Sequence, residues 1–148
     1  MIYLGSDHAG FELKEKIKEW LKEWGYEFED MGAFLFDPQD DYPDFISLVA
    51  EKVSEYPENN LGIVLGGSCQ GEPMAANRTK GVRAAVYAAR GLDLELVKLM
   101  REHNDSNVLS LGARFVPEED AKEVVKLWLE TPFSGEARHK RRIAKIDK

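Results

Sequence analysis

Short β-type runs alternate with helix-period segments from one end of the chain to the other, and this alternation restricts the possible folds more than any other feature. Ile2–Gly5 reads as a first strand. Leu13, Ile17, Trp20, Leu21 and Trp24 then fall at i, i+4, i+7, i+8 and i+11, one face of a helix, and Gly25 stands where a terminating glycine belongs. Tyr26–Glu29 predicts a second strand, and Met31–Pro43, with Gly32, Pro38 and the Asp40-Asp41 pair, predicts a loop. Ile46, Val49, Ala50 and Val53 mark the next helix, which closes before Pro57. Gly62–Leu65 is a short continuous apolar run, as expected of a strand buried on both faces of a parallel sheet. Val82–Tyr87 predicts a fourth strand, Leu92–Glu102 a helix with Leu92, Leu96, Leu99 and Met100 inward, and Val108–Leu111 a fifth strand. Pro117 precedes Glu118, Glu119 and Asp120 at the positive end of a helix running through Val124, Val125 and Trp128 to Thr131. A charge-rich helix over Glu136–Asp147 ends the chain.

Parallel strands need crossover connections, and helices supply them. The pattern therefore predicts an α/β fold: an open, mostly parallel five-stranded sheet with helices on both faces, a Rossmann-like three-layer sandwich. No repeat or linker divides the 148 residues, so one domain is expected over 1–148. In such sheets ligands bind beyond the carboxyl ends of the strands, so the loops there are the first places to look for chemistry.

Composition removes several classes of function. A formal charge of -7 argues against a nucleic-acid partner, because neutralising phosphates needs surplus Lys and Arg. The one cysteine, Cys69, excludes an internal disulfide and suits a reducing compartment. No window approaches the ~20 apolar residues of a membrane span, and the start of the chain has no basic leader pattern. A cytoplasmic location with no membrane partner is the expectation.

Four segments carry possible chemistry. Ser6-Asp7-His8-Ala9-Gly10 follows the first strand, where Asp7 can act as a helix cap or as a site residue. Gly66-Gly67-Ser68-Cys69-Gln70-Gly71-Glu72 follows the third strand. Its glycines let backbone N–H groups converge on an anion, although it matches no nucleotide-binding motif. Glu72 is its only carboxylate, and a carboxylate beside an oxyanion pocket suits removal of a proton next to a carbonyl. His103-Asn104-Asp105 ends a helix, where His103 also suits a C-terminal cap and Asn104 a left-handed turn. Arg138 and Arg142 are i, i+4 neighbours that can grip one phosphate or simply form a solvated face.

These segments occur in an order that resembles the type B ribose-5-phosphate isomerase family, which includes galactose- and allose-6-phosphate isomerases. The matching pieces are Gly5–Gly10, Asp41-Tyr42-Pro43-Asp44, Gly62–Arg78, Gly81-Val82-Arg83-Ala84, His103-Asn104-Asp105, Leu111-Gly112-Ala113-Arg114, and Thr131-Pro132-Phe133 leading to Arg138-His139. Many members of that family carry a catalytic cysteine where this chain has Gly66. The loop here is similar instead to the branch reading Gly-Gly-Ser-x-x-Gly-Glu, in which a glutamate serves as base, and Glu72 falls on that glutamate. Cys69 is then not the family's catalytic thiol.

The resemblance implies an aldose–ketose isomerase acting on ribose 5-phosphate, or on a six-carbon sugar phosphate. A binding module without catalysis would need the nest and arginines but not the base. The resemblance implies Glu72 and His103 as catalytic residues, His103 opening the sugar ring. Asp7, His8 and Asn104 contact substrate, and the backbone N–H groups of Gly67, Ser68, Cys69, Gln70 and Gly71 stabilise the enediolate. Arg114, Arg138 and Arg142 hold the phosphate, with Tyr42 near the pocket. It also implies a homodimer or dimer of dimers, with His103, Asn104 and Arg114 of one subunit beside Asp7, His8 and Glu72 of the other. The C-terminal helix, about 134–148, is expected to reach a neighbour. This chemistry requires no cofactor and no metal, and His8, His103 and Cys69 show no zinc-ligand spacing.

Overall fold

The computed structural model describes residues 1–147; residue 148, the end of the predicted C-terminal segment, lies outside the described residues. Five parallel strands are present among the described residues: β1 (Ile2–Ser6), β2 (Phe28–Asp30), β3 (Leu61–Gly66), β4 (Ala84–Tyr87) and β5 (Val108–Gly112), in the spatial order β2-β1-β3-β5-β4. Among the described residues six helices accompany them: α1 (Phe11–Glu23), α2 (Tyr42–Glu55), α3 (Gly71–Ala76), α4 (Leu94–Glu102), α5 (Glu118–Glu130) and α6 (Ala137–Ile143). The predicted alternation is thus the observed one, with the short α3 added directly after the glycine-rich loop.

The pleat explains the three layers. Alternate residues of a strand face opposite sides, so Ile2, Leu4, Ile63, Leu65, Leu109 and Leu111 meet α1, α4 and α5 through Ile17, Leu21, Val97, Val124 and Trp128. Tyr3, Val64 and Val108 point the other way and meet Ile46, Val49, Ala50 and Val53 of α2 with Ala76 of α3. Helices cover β3 on both sides, which is why it reads as an unbroken apolar run.

The fourth strand begins at Ala84 rather than Val82, the last helix covers Ala137–Ile143 rather than Glu136–Asp147, and three further sequence expectations need correction. The second strand begins later than Tyr26, because Tyr26 spends its N–H on the Leu21 carbonyl, closing the end of α1. The fourth helix starts at Leu94 behind an Asp93 cap that accepts from the Leu96 N–H, and Val97 and Met100 are its buried residues. Met100 is buried as expected, whereas Leu92 and Leu96, expected inward, are exposed and Val97 is buried instead. Asp105, rather than Asn104, takes the left-handed conformation after this helix, with φ 46°. Its carboxylate is gripped there by Arg83 at 3.0 Å and Arg101 at 3.2 Å.

The C-terminal helix docks on its own chain. Ser134 N–H donates to Glu102 at 3.2 Å, Gly81 N–H donates to Asp147 at 3.0 Å, and His139 is the buried residue of α6.

Candidate active site

The carboxyl ends of β1 and β3 bring two loops together. Asp7 is buried directly after β1, and its Oδ1 accepts from the N–H of Ala9 at 2.9 Å and of Gly10 at 3.3 Å. The carboxylate therefore organises its own turn while remaining close enough to act electrostatically on Glu72. His8 follows, half-buried, with its Nδ1 2.6 Å from Asp40 Oδ1.

Glu72 lies in the first turn of α3 and is 5% exposed. Burial pushes its carboxyl pKa up from the ordinary value; hydrogen bonding to its own N–H and to Cys69 lowers it, and the Asp7 charge raises it. Position 66 explains how the carboxylate fits. A Cβ built on Gly66 would overlap the Glu72 carboxylate, with Oε2 at 3.0 Å. The side chain of residue 72 thus fills the space that a side chain at residue 66 would take, which is the reason glycine stands at the end of β3.

The loop between them leaves backbone donors free. Among the described residues, the N–H groups of Gly67, Ser68, Cys69 and Gln70 have no carbonyl or side-chain partner. Cys69 has φ 53°, which turns its side chain down into the core, where Sγ lies 2.8 Å from Ser110 Oγ. Burial first, and then the charge of Glu72, push this thiol pKa far up, so it stays protonated. Only the backbone of Cys69 can face a ligand. Tyr42 packs against the loop's end, its hydroxyl 2.7 Å from where a Cβ on Gly71 would sit.

Arg114 lies against this loop, which corrects its expected place beside His103. Its N–H donates to the Gly67 carbonyl at 3.0 Å, and its guanidinium lies 3.3 Å from a Cβ position on Gly67. The cause is local: the residues after β5 continue the ladder with β3, since Ala113 N–H also donates to Gly66.

The remaining predicted residues lie elsewhere. His103 is the C-cap of α4, and both it and Asn104 precede β5, whereas Arg114 follows it. A five-residue strand spans about 16 Å, so His103 and Asn104 stand at the opposite end of the sheet from Glu72. His139, whose place in the sequence signals no role, stacks on His103 with ring centroids 4.4 Å apart and planes 18° from parallel. Its pKa is lowered by burial, then by His103 and Arg138, and its Nε2 is buried without a partner. Arg138 and Arg142 flank it on α6, both exposed, with Arg138 paired to Glu136 at 2.8 Å.

Asp7, His8 and Asp40 each bring one ligand atom within 4.8 Å of the others, the spacing of a cation site. The His8 and Asp40 atoms are already bonded to each other, so an ion would first have to break that contact.

A raised carboxyl pKa has a consequence for stability. A group whose pKa is higher folded than unfolded favours folding while it is protonated, and that contribution is lost as pH rises through the folded value. Glu72→Gln is therefore expected to raise Tm at neutral pH. The gain should shrink as pH falls toward the ordinary carboxylate range of about 4.3, which thermal melts across pH will test.

Comparison with known proteins bears on the family and the fold. The sequence pattern of the family described as Ribose/Galactose Isomerase matches residues 2–146. Ribose-5-phosphate isomerase B of Mycolicibacterium paratuberculosis is 43% identical over 142 residues, covering 96% of this chain and 86% of the relative. A solved structure of ribose-5-phosphate isomerase B from Mycoplasma genitalium with bound ribulose-5-phosphate superposes with a TM-score of 0.92 at 42% identity, covering 98% of this chain and 92% of that one. The Thermotoga maritima ribose 5-phosphate isomerase structure gives a TM-score of 0.88 at 42% identity, covering 99% and 96%. With the family pattern spanning nearly every residue and the fold shared throughout, this chain belongs to the ribose/galactose isomerase family.

Proposed function

We propose that this protein interconverts ribose 5-phosphate and ribulose 5-phosphate through an enediolate, with Glu72 as the proton-transfer base. The observation that carries the reading is the buried Glu72 carboxylate beside a run of unpartnered N–H groups. The substrate follows from the relatives named for it at about 42% identity, one of them holding ribulose-5-phosphate.

In this reading Glu72 takes the proton from C2 of the open-chain aldose. The electron pair moves into the C1–C2 double bond, and the carbonyl oxygen becomes an oxyanion facing the N–H groups of Gly67–Gly71. Each such donor contributes about 3–4 kcal/mol to lowering the barrier. The O2 hydroxyl proton then passes to the O1 oxyanion, the electron pair on O2 forms the new carbonyl, and Glu72 returns its proton to C1, giving the ketose. Its raised pKa makes it a better base than a solvated glutamate, since desolvation disfavours its charged form. Asp7 and His8 contact the sugar.

His103 opens the ring by moving a proton at the ring oxygen or anomeric hydroxyl, Asn104 contacts the substrate, and Arg114, Arg138 and Arg142 hold the phosphate. Because His103 and Glu72 lie at opposite ends of one sheet, the complete site is assembled from two copies, in a homodimer or dimer of dimers. Asp7, His8, Glu72 and Arg114 come from one copy, and His103, Asn104, Arg138 and Arg142 from the other. A cytoplasmic address fits the free Cys69 thiol, and among the described residues no helix is long and apolar enough to cross a membrane.

A panel of five- and six-carbon aldose phosphates, assayed for ketose formation, tests the function directly; ribose 5-phosphate should be turned over best. The phosphate clamp has its own test. Charge-assisted hydrogen bonds are worth about 1.5–3 kcal/mol, so Arg138→Ala or Arg142→Ala should each raise KM about tenfold or more. Lysine should rescue poorly, because an ammonium lacks the planar fork. Unchanged kinetics in both alanine variants would return α6 to a solvated charged helix.

A further inference from the structure

We propose that Asp40 is the positioning residue for His8, fixing its tautomer and aim so that Nε2 faces the substrate. This rests on the reading of His8 as a substrate contact. Asp40 comes from the loop between β2 and α2, distant in sequence, and its Oδ1 takes two hydrogen bonds from His8: the backbone N–H at 3.0 Å and ring Nδ1 at 2.6 Å. A carboxylate only accepts, so Nδ1 is the donor in that bond. The proton is thereby placed on Nδ1, and Nε2 is left as the ring nitrogen available to a ligand.

The same loop holds the ring in a second way. Phe36 stands edge-on to His8, centroids 6.3 Å apart at 89°. The loop is in turn anchored at its base. Lys14, fully buried in α1, donates to Asp30 at 2.5 Å and to the Ala33 carbonyl at 2.7 Å. Ser6 N–H donates to Gly32 and Ala33 N–H donates to Ser6, both at 2.8 Å, so the loop extends the β1–β2 pairing. The Asp40 side chain is only 9% exposed. Its Oδ2 is buried and takes no partner, so His8 is what this carboxylate serves.

Asp40 touches no reacting atom in this scheme; it acts through His8. Asp40→Ala should therefore raise KM for ribose 5-phosphate by about tenfold, the effect of one lost charge-assisted contact, while kcat falls less. Asp40→Asn keeps an acceptor oxygen and should recover most of the loss. In the double variant His8→Gln with Asp40→Ala, KM should be no worse than in His8→Gln alone. Imidazole nitrogen NMR on the substrate-free protein, with His8→Gln to assign the signal, should show His8 protonated at Nδ1 in the native chain and shifted toward Nε2-protonated in Asp40→Ala. The NMR arm is independent of turnover, so a failure of the isomerase reading leaves it standing. A His8 signal unchanged by Asp40→Ala would overturn the proposal, and so would additive losses in the double variant.

Discussion

Glu72→Gln should lower kcat by about 10²–10⁴-fold, the usual range for a lost general base, with KM changed little. The amide keeps the volume and much of the hydrogen bonding of the carboxylate but cannot accept the C2 proton. Cys69→Ser should keep most activity, because the thiol is buried against Ser110 and held protonated. Gly66→Ala supplies an independent check: its new methyl group would overlap the Glu72 carboxylate and push the base aside, so its kcat should fall by a comparable factor. The pH profile carries the same assignment. The acid limb of kcat should lie above the ordinary carboxylate value of about 4.3, since burial and the Asp7 charge both raise the Glu72 pKa. Asp7→Asn removes one of those causes and should move the limb to lower pH, whatever it does to the maximum rate. A dead serine variant alongside an active glutamine variant would transfer the role to Cys69.

Mixing two inactive proteins should restore activity. Glu72→Gln and His103→Ala damage opposite ends of the sheet in one chain. If each site combines the Glu72 end of one copy with the His103 end of another, a mixed dimer holds one site with both defects and one with neither. Random pairing makes about half the dimers mixed, so activity should return to about one quarter of the native level, given two-fold symmetry and free exchange. The corrected place of Arg114 sharpens the test. Arg114→Ala should complement His103→Ala, because those residues lie in different halves, and should fail to complement Glu72→Gln, because those lie in the same half. Sedimentation showing a fully active monomer would sink the two-chain site, as would verified subunit exchange with no recovery.

The sequence by itself determined the layers and singled out Glu72 as the candidate base. Residue periodicity reports burial directly: Ile17 and Leu21 at helical spacing and the unbroken Gly62–Leu65 run could satisfy their apolar surface only in a sheet covered on both faces. Glu72 was legible because it is the sole carboxylate in a loop of small residues after a buried strand, a local property of adjacent positions. The inward face of α4 was legible only at Met100, because the Asp93 cap starts the helix two residues later than the predicted segment and leaves Leu92 and Leu96 exposed. The tertiary structure alone decided which site residues share a neighbourhood. Arg114 and His103 are close in sequence, yet β5 runs between them and carries them to opposite ends of the sheet. Asp40 and His8 are far apart in sequence, yet the parallel pairing of β1 with β2 sets their loops side by side. Spacing along the chain measures contour, and a strand converts a few residues of contour into the full width of the domain.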